Sequence, residues 1–294
     1  MPIKHRNIHL QRRDMDIFKF ILSSRGCNAV QVWYKFFNTY NTCAIRLLKL
    51  ARFGYLNKER ETVLNEYLYS LTPEAMKELK NWGMFSGDRF KPPKLSMSGK
   101  YHDLDVIDLR LLIESDANLA ITDWKTDYEL ACELNKRVQN QSRTNNHRVP
   151  DGKFVITSGD FRRPFILEYI RHDYSKDRYH KVLSNIEYYY PFESVLIVGS
   201  VKSKMERYYK WLQHRMRNRF PGKYAFTYKD SILQSTGLSG AEIIKGDGSK
   251  PKFQHLHAPE YDPEQKDQSF SDGYLHLEKR GIDHIKANIE SQNY

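Results

Sequence analysis

The sequence predicts a mixed α+β protein of two domains, and three observations carry that prediction. Apolar residues recur at helical spacing in several segments, and short β-branched or alternating runs interrupt them. At 294 residues the chain exceeds the usual size of one domain and can bury two cores. A proline-bearing stretch, FKPPKLSMSGK, separates a helix-rich first part from a strand-rich second part. The expected division is residues 1–90, a linker at 91–100, a second domain at 101–244 and a mostly extended or disordered tail at 245–294.

Composition narrows the function classes. No apolar run approaches the ~20 residues needed to cross a bilayer, so no membrane partner is expected. The basic opening MPIKHRNIHLQRRD lacks the apolar block of a secretory signal. Cys27, Cys43 and Cys132 are odd in number, widely spaced and without a CxxC pair, which argues against a disulfide framework or a zinc site. A reducing cytoplasm is the expected home. The formal net charge is +11, and residues 1–100 hold 18 Lys and Arg against 8 Asp and Glu. A positive field concentrated in one domain is the footprint of a nucleic-acid binder, because neutralised phosphates release condensed counterions.

In the first domain Met15, Phe18, Ile21 and Leu22 set a helix over 12–22, and Gly26 breaks it. A second short helix fits 29–37. After the turn Asn38 to Asn41, a third helix runs over 42–53, with Ala44, Leu47, Leu48 and Ala51 as its inner stripe. Thr42, Arg46, Lys49 and Arg52 then fall on other faces. Tyr55 to Tyr69 reads as a two-stranded hairpin with a charged tip, and Thr72-Pro73 as the capped start of a fourth helix. Three helices, a hairpin and a closing helix is the order of a winged helix-turn-helix. On that reading Thr42, Arg46, Lys49 and Arg52 face double-stranded DNA, and Lys58 and Arg60 on the wing meet phosphates. The plainer reading of these bases is a solvated helix face.

The second domain opens with a helix from Tyr101 to Asp116, then a strand at 118–124, an acidic helical segment at 128–134 and the polar loop QNQSRTNNHR. Strands at 153–157 and 164–170, a helix at 174–190, the apolar strand SVLIVG at 194–199, a basic helix at 202–219 and a strand at 224–228 complete it. The implied architecture is a mixed sheet flanked by helices. On the basic helix Lys202, Lys204 and Arg207 offer a second phosphate-contacting surface.

Two acids stand out. Asp151 follows Pro150 at the mouth of one strand, and Glu168 sits within the next. Pairing of these strands brings the two acids together, and Glu114 or Glu129 could complete a cluster for a divalent ion such as magnesium. The plainer readings are an Asp-Gly turn for Asp151 and a pairing with Arg162, Arg163 or Arg171 for Glu168.

The order of elements, with Pro150-Asp151 and Glu168, resembles the PD-(D/E)xK restriction-endonuclease-like fold. More narrowly, His102 opening a helix, Trp124 before Glu129, VPDGKF, ILEYIR, and Lys181 with Tyr188 on the following helix resemble the replication-relaxation family of plasmids and mobile elements. That resemblance spans roughly residues 10–230. It implies metal ligands Asp151, Glu168 and Glu129, with Lys181 as a relocated catalytic lysine alongside Asp151 and Glu168. The family's lysine position is here Ile170, which cannot polarise a water, although Arg171 or His172 could substitute.

The expectation is therefore a sequence-specific duplex DNA-binding protein, acting in plasmid or mobile-element replication, DNA relaxation or transcriptional control, with a degenerate nuclease-like domain and no required cofactor. Two alternatives stay open: a magnesium-dependent endonuclease or nickase using Asp151, Glu168 and Lys181, and an adaptor recruiting a relaxase or transposase. A homodimer and a replication-protein partner also stay open.

Overall fold

The computed structural model describes residues 8–85, 92–95, 99–138, 149–158, 161–190, 193–215 and 223–245; among these, the side chains of 135–138, 158, 161, 215 and 245 are not described. The expected loop at 139–148, much of the linker and nearly all of the tail thus lie outside the described residues. The chain divides into two compact units, with the boundary falling between Leu111 and Leu112.

The first unit contains helices α1 (Arg12–Ser24), α2 (Ala29–Phe36) and α3 (Tyr40–Arg52), strands β2 (Leu56–Glu61) and β3 (Glu66–Leu71), and helix α4 (Pro73–Asn81). A two-residue strand β1 (Cys27–Asn28), unforeseen from sequence, pairs with β3 to give an antiparallel sheet of order β1-β3-β2. Each helix starts for a visible reason. Asn28 caps α2 through the Gln31 N–H at 2.9 Å, Thr39 caps α3, and Thr72 caps α4 ahead of Pro73. The core gathers Met15, Phe18 and Ile21 of α1, Leu47 and Leu50 of α3, and Leu56, Leu71, Met76 and Leu79. Burying each such side chain is worth about 1.5–3 kcal/mol against leaving it in water.

The phase of α3 differs from the expected one. Its buried stripe is Cys43, Leu47 and Leu50, whereas Leu48 is 37% exposed and Ala44 only half-buried. The small apolar residues on both sides of Leu47 make two stripes equally legible, and tertiary packing selects the one that carries Cys43.

The N-terminal turns of helix α5 (Lys100–Glu114) belong to this unit too. Gln31 Nε2 donates to the Asp108 carboxylate at 2.8 Å and to the Leu104 carbonyl at 3.1 Å. Arg25 pairs with Asp103 at 3.2 Å, and Lys100 pairs with Glu61 at the end of β2, which also accepts the Tyr101 hydroxyl at 3.1 Å.

The second unit is built on a six-stranded mixed sheet of order β4-β5-β6-β7-β8-β9. Its strands are β4 (Ala120–Thr126), β5 (Gly152–Ser158), β6 (Phe161–Ile170), β7 (Ser194–Gly199), β8 (Tyr224–Tyr228) and β9 (Ile244–Lys245). Strands β4 to β6 are antiparallel, β6 to β8 parallel, and β9 antiparallel to β8. Helix α6 (Asp127–Val138) follows β4, α7 (Lys176–Tyr189) links β6 to β7, α8 (Lys202–Arg215) links β7 to β8, and the short α9 (Lys229–Gln234) precedes β9. The α9–β9 pair was not expected; at six and two residues, neither leaves a readable period.

Alternation along β6 sorts its side chains. Ile166, Glu168 and Ile170 share a face with Val195, Ile197, Tyr224 and Phe226 by register, and that face packs with Tyr179, Val182, Leu183 and Ile186 of α7 and Met205, Tyr208 and Leu212 of α8. Phe165, Leu167 and Tyr169 take the opposite face. There Trp124 stacks on Phe154 at 4.9 Å and Phe154 on Phe165 at 5.6 Å. Asp116, just past α5, closes the unit's other end by accepting the Ser239 N–H at 2.6 Å and its hydroxyl at 2.9 Å.

Candidate nucleic-acid interface

The outward face of α3 follows from its buried stripe. With Cys43, Leu47 and Leu50 turned inward, helical spacing of 100° per residue turns Asn41, Thr42, Ile45, Lys49 and Arg52 outward, and all five are exposed. The helix carries three bases and no acid. Among the described residues, neither Lys49 nor Arg52 enters an ion pair. Thr42 shares a 2.8 Å hydroxyl contact with the capping Thr39, which fixes it at the first turn.

Arg46 is placed differently from the expectation. Its Nε donates to Asp14 Oδ1 at 2.8 Å, its Nη2 to Asp14 Oδ2 and to the His9 carbonyl at 3.0 Å, and its side chain is 15% exposed. Asp14 is fully buried on α1, where it also accepts the Gln11 N–H at 2.7 Å as half of a capping box. Donating to the Asp14 carboxylate raises the Arg46 pKa above its ordinary value. Arg46 thus ties α3 to α1 and leaves the outward set. Asn41 and Ile45 enter it, and the signal that would have found them is the i, i+4, i+7 spacing of Cys43, Leu47 and Leu50.

On the hairpin, Lys58 and Arg60 are exposed. Lys58 Nζ sits 3.6 Å from the centroid of the Tyr67 ring, and Arg60 Nη2 donates to Asn65 Oδ1 at 3.0 Å. The loop between strands is held by a left-handed Asn65, with φ of 51°, and by the Val63 N–H donating to Glu61 at 3.3 Å.

In the second unit three of the basic residues of α8 are compensated. Lys202 pairs with Glu242 at 2.8 Å, while Lys204 and Arg207 both pair with Asp173, at 3.4 and 2.9 Å.

The nuclease-like residues sit as follows. Asp151 falls directly opposite Glu168 when the β5–β6 register is extended by one residue, and it accepts the Tyr169 N–H at 2.6 Å. Glu168 is 1% exposed within the α7–α8 core, and Tyr174 donates its hydroxyl to Oε1 at 3.4 Å. Of the three arginines expected to pair with it, Arg162, Arg163 and Arg171, the first meets Asp123 and the second meets Ser194. Ile170 is fully buried in the same core. Lys181 is exposed on the side of α7 opposite Tyr179, Val182 and Ile186, the residues turned toward the sheet. Glu129 is spent on α6: its carboxylate accepts the Thr126 N–H at 2.9 Å and hydroxyl at 3.2 Å, and its own N–H donates back to Thr126.

The β5–β6 register brings Asp151 and Glu168 together, Lys181 lies on the outer side of α7, and the Glu129 carboxylate is held by Thr126, which pairs with Gly152 beside Asp151. Among the described residues no group of three or more His, Cys, Asp and Glu side chains is placed to hold a metal ion. Magnesium retains several waters and needs near-octahedral oxygen ligands, and Glu168 is 1% exposed on the sheet face that carries Ile166, Ile170 and Ile197.

No family model, curated protein or solved structure matches the chain.

Proposed function

We propose that the protein is a sequence-specific double-stranded DNA-binding protein of a plasmid or mobile element, acting in replication, DNA relaxation or transcriptional control. Its first unit is read as a winged helix with α3 as the DNA-reading helix. The observation that carries this reading is the outward face of α3, where Thr42, Lys49 and Arg52 stand exposed on an acid-free helix that leads into a hairpin bearing Lys58 and Arg60. The plasmid or mobile-element setting rests on the order of sequence motifs alone.

The second unit is read as a PD-(D/E)xK-like scaffold without catalysis. Its acids support strand and core structure, and Ile170 takes the place of the lysine that cleavage needs. DNA binding, dimerisation or partner contact is the role read for it.

The test is fluorescence anisotropy of the full chain with labelled duplex over a range of salt. Binding should weaken steeply with salt, and Lys49→Ala and Arg52→Ala should each reduce the slope of log K against log salt by about 0.9 if each neutralises one phosphate. Affinity and slope unchanged in both variants would refute this docking.

A further inference from the structure

Resting on that reading, we infer that Asn41 and Ile45 read an A·T step in the major groove, Asn41 taking an adenine edge and Ile45 the 5-methyl group of a nearby thymine. Ile45 lies near the centre of α3's outward face and is 55% exposed, and Leu48 extends the apolar spot to one side. A β-branched side chain on a helix holds essentially one rotamer, so Ile45 presents a stiff apolar knob. An exposed apolar group encircled by Asn41, Thr42, Lys49 and Arg52 has little to gain from water and suits a small apolar target in a polar, anionic setting. In the major groove the thymine methyl is that target, and an amide side chain pairs with N6 and N7 of adenine. Asn41 and Ile45 are one helical turn apart, about 6 Å along the axis, which matches roughly two base steps. A protein partner would call for a wider, charge-depleted apolar patch than Ile45 and Leu48 supply between two free cations.

The experiment begins with selection of bound sites from a random duplex library by the full-length protein. Single thymines in the selected site are then replaced by deoxyuridine, which deletes only the methyl, and single adenines by 7-deazaadenine, which deletes the N7 acceptor. The wild type should lose about fourfold in affinity at one deoxyuridine position, the worth of one buried methyl, and fivefold or more at one 7-deazaadenine position. Ile45→Ala should be indifferent to the first replacement and Asn41→Ala to the second, each with an unchanged melting temperature. If both variants keep the wild-type sensitivities, or select the same site, the inference is wrong. It also fails if Ile45→Ala alters self-association while selection stays the same, since the face would then be a protein contact. A wild type that binds duplex with a salt slope but selects no site sinks this inference alone; one that binds no duplex sinks the DNA-binding reading as well.

Discussion

Replacing Arg46 separates a structural arginine from a DNA-reading one. Arg46→Met removes three hydrogen bonds to Asp14 and His9 and leaves the fully buried Asp14 carboxylate with the Gln11 N–H. Breaking a buried ion pair from one side costs about 3–5 kcal/mol, because the remaining charge stays desolvated. Arg46 keeps a little solvent contact, so the lower end, about 3 kcal/mol, is the expected loss in urea unfolding of the first unit. Asp14→Leu should cost a similar amount. The double variant Asp14→Leu, Arg46→Met should recover most of the loss, since a buried pair replaced by apolar groups is often neutral. DNA affinity of Arg46→Met, measured where it remains folded, should match the wild type within twofold. An Arg46→Met protein of unchanged stability and lowered DNA affinity would refute the assignment and return Arg46 to the groove.

The remaining predictions concern acids, thiols and charge. Asp151→Ala should lower stability of the second unit by about 1–2 kcal/mol, the usual cost of orphaning a buried donor such as the Tyr169 N–H; supercoiled plasmid with magnesium should stay intact with either protein, and nicks by the wild type that vanish in the variant would restore the enzyme reading. Burial pushes the Cys43 thiol up to about 12 and raises Cys27 as well, so a thiol reagent at pH 8 should modify Cys132 alone until denaturant is added. Because folded Cys43 holds its proton more tightly than the unfolded chain, its contribution to stability should be constant below about pH 9 and fall as pH rises toward 12. Hydrogen bonding from Lys100 lowers the Glu61 carboxyl below its ordinary value of 4.5, so that contribution is present above that pH and lost as pH falls through the folded value. Glu61→Gln should flatten the acid limb of the first unit's unfolding curve, and an unaltered limb would show that the ion pair at the end of β2 carries no such linkage.

The longer elements of both units were legible because amphipathic helices and the run SVLIVG announce their periods, and Thr72-Pro73 and Gly26 mark their ends. What sequence could not supply was the rotation of α3. Ala44, Leu48 and Ala51 are apolar enough to simulate an inner stripe, and only the packing of Cys43, Leu47 and Leu50 against the first unit's core selects the other solution. That shift of about one residue exchanges Arg46 for Ile45 on the outward face. The carboxylates were legible in pairing but not in use: opposite strands predict that Asp151 meets Glu168, whereas the Tyr174 hydroxyl and the Tyr169 N–H that engage them depend on a loop and on backbone geometry that no spacing rule reports. Thr126 followed three residues later by Glu129 is a capping box, a readable signal for the hydrogen bonds that Glu129 makes.

Where the positive charge acts depends on which bases are already answered. In the first unit Arg25, Arg46 and Lys100 each face an acid within the fold, Asp103, Asp14 and Glu61 respectively. Lys49, Arg52, Lys58 and Arg60 are left exposed on α3 and the hairpin. In the second unit Lys202, Lys204 and Arg207 meet Glu242 and Asp173, so their fields cancel over a few ångströms, well inside a Debye length of about 10 Å at 0.1 M salt. A phosphate approaching Lys202, Lys204 or Arg207 must displace a carboxylate before it gains a cation, whereas one approaching Lys49 or Arg52 displaces only water and mobile anions. Counterion release should therefore come less from these three bases than from Lys49 and Arg52. Removing Lys202, Lys204 and Arg207 together should change the salt slope less than removing Lys49 and Arg52 together, although it deletes one more charge. The opposite order, measured by anisotropy titration of both variants at several salt concentrations, would place the main grip on the second unit and make the acid pairs on α8 the switch that governs it.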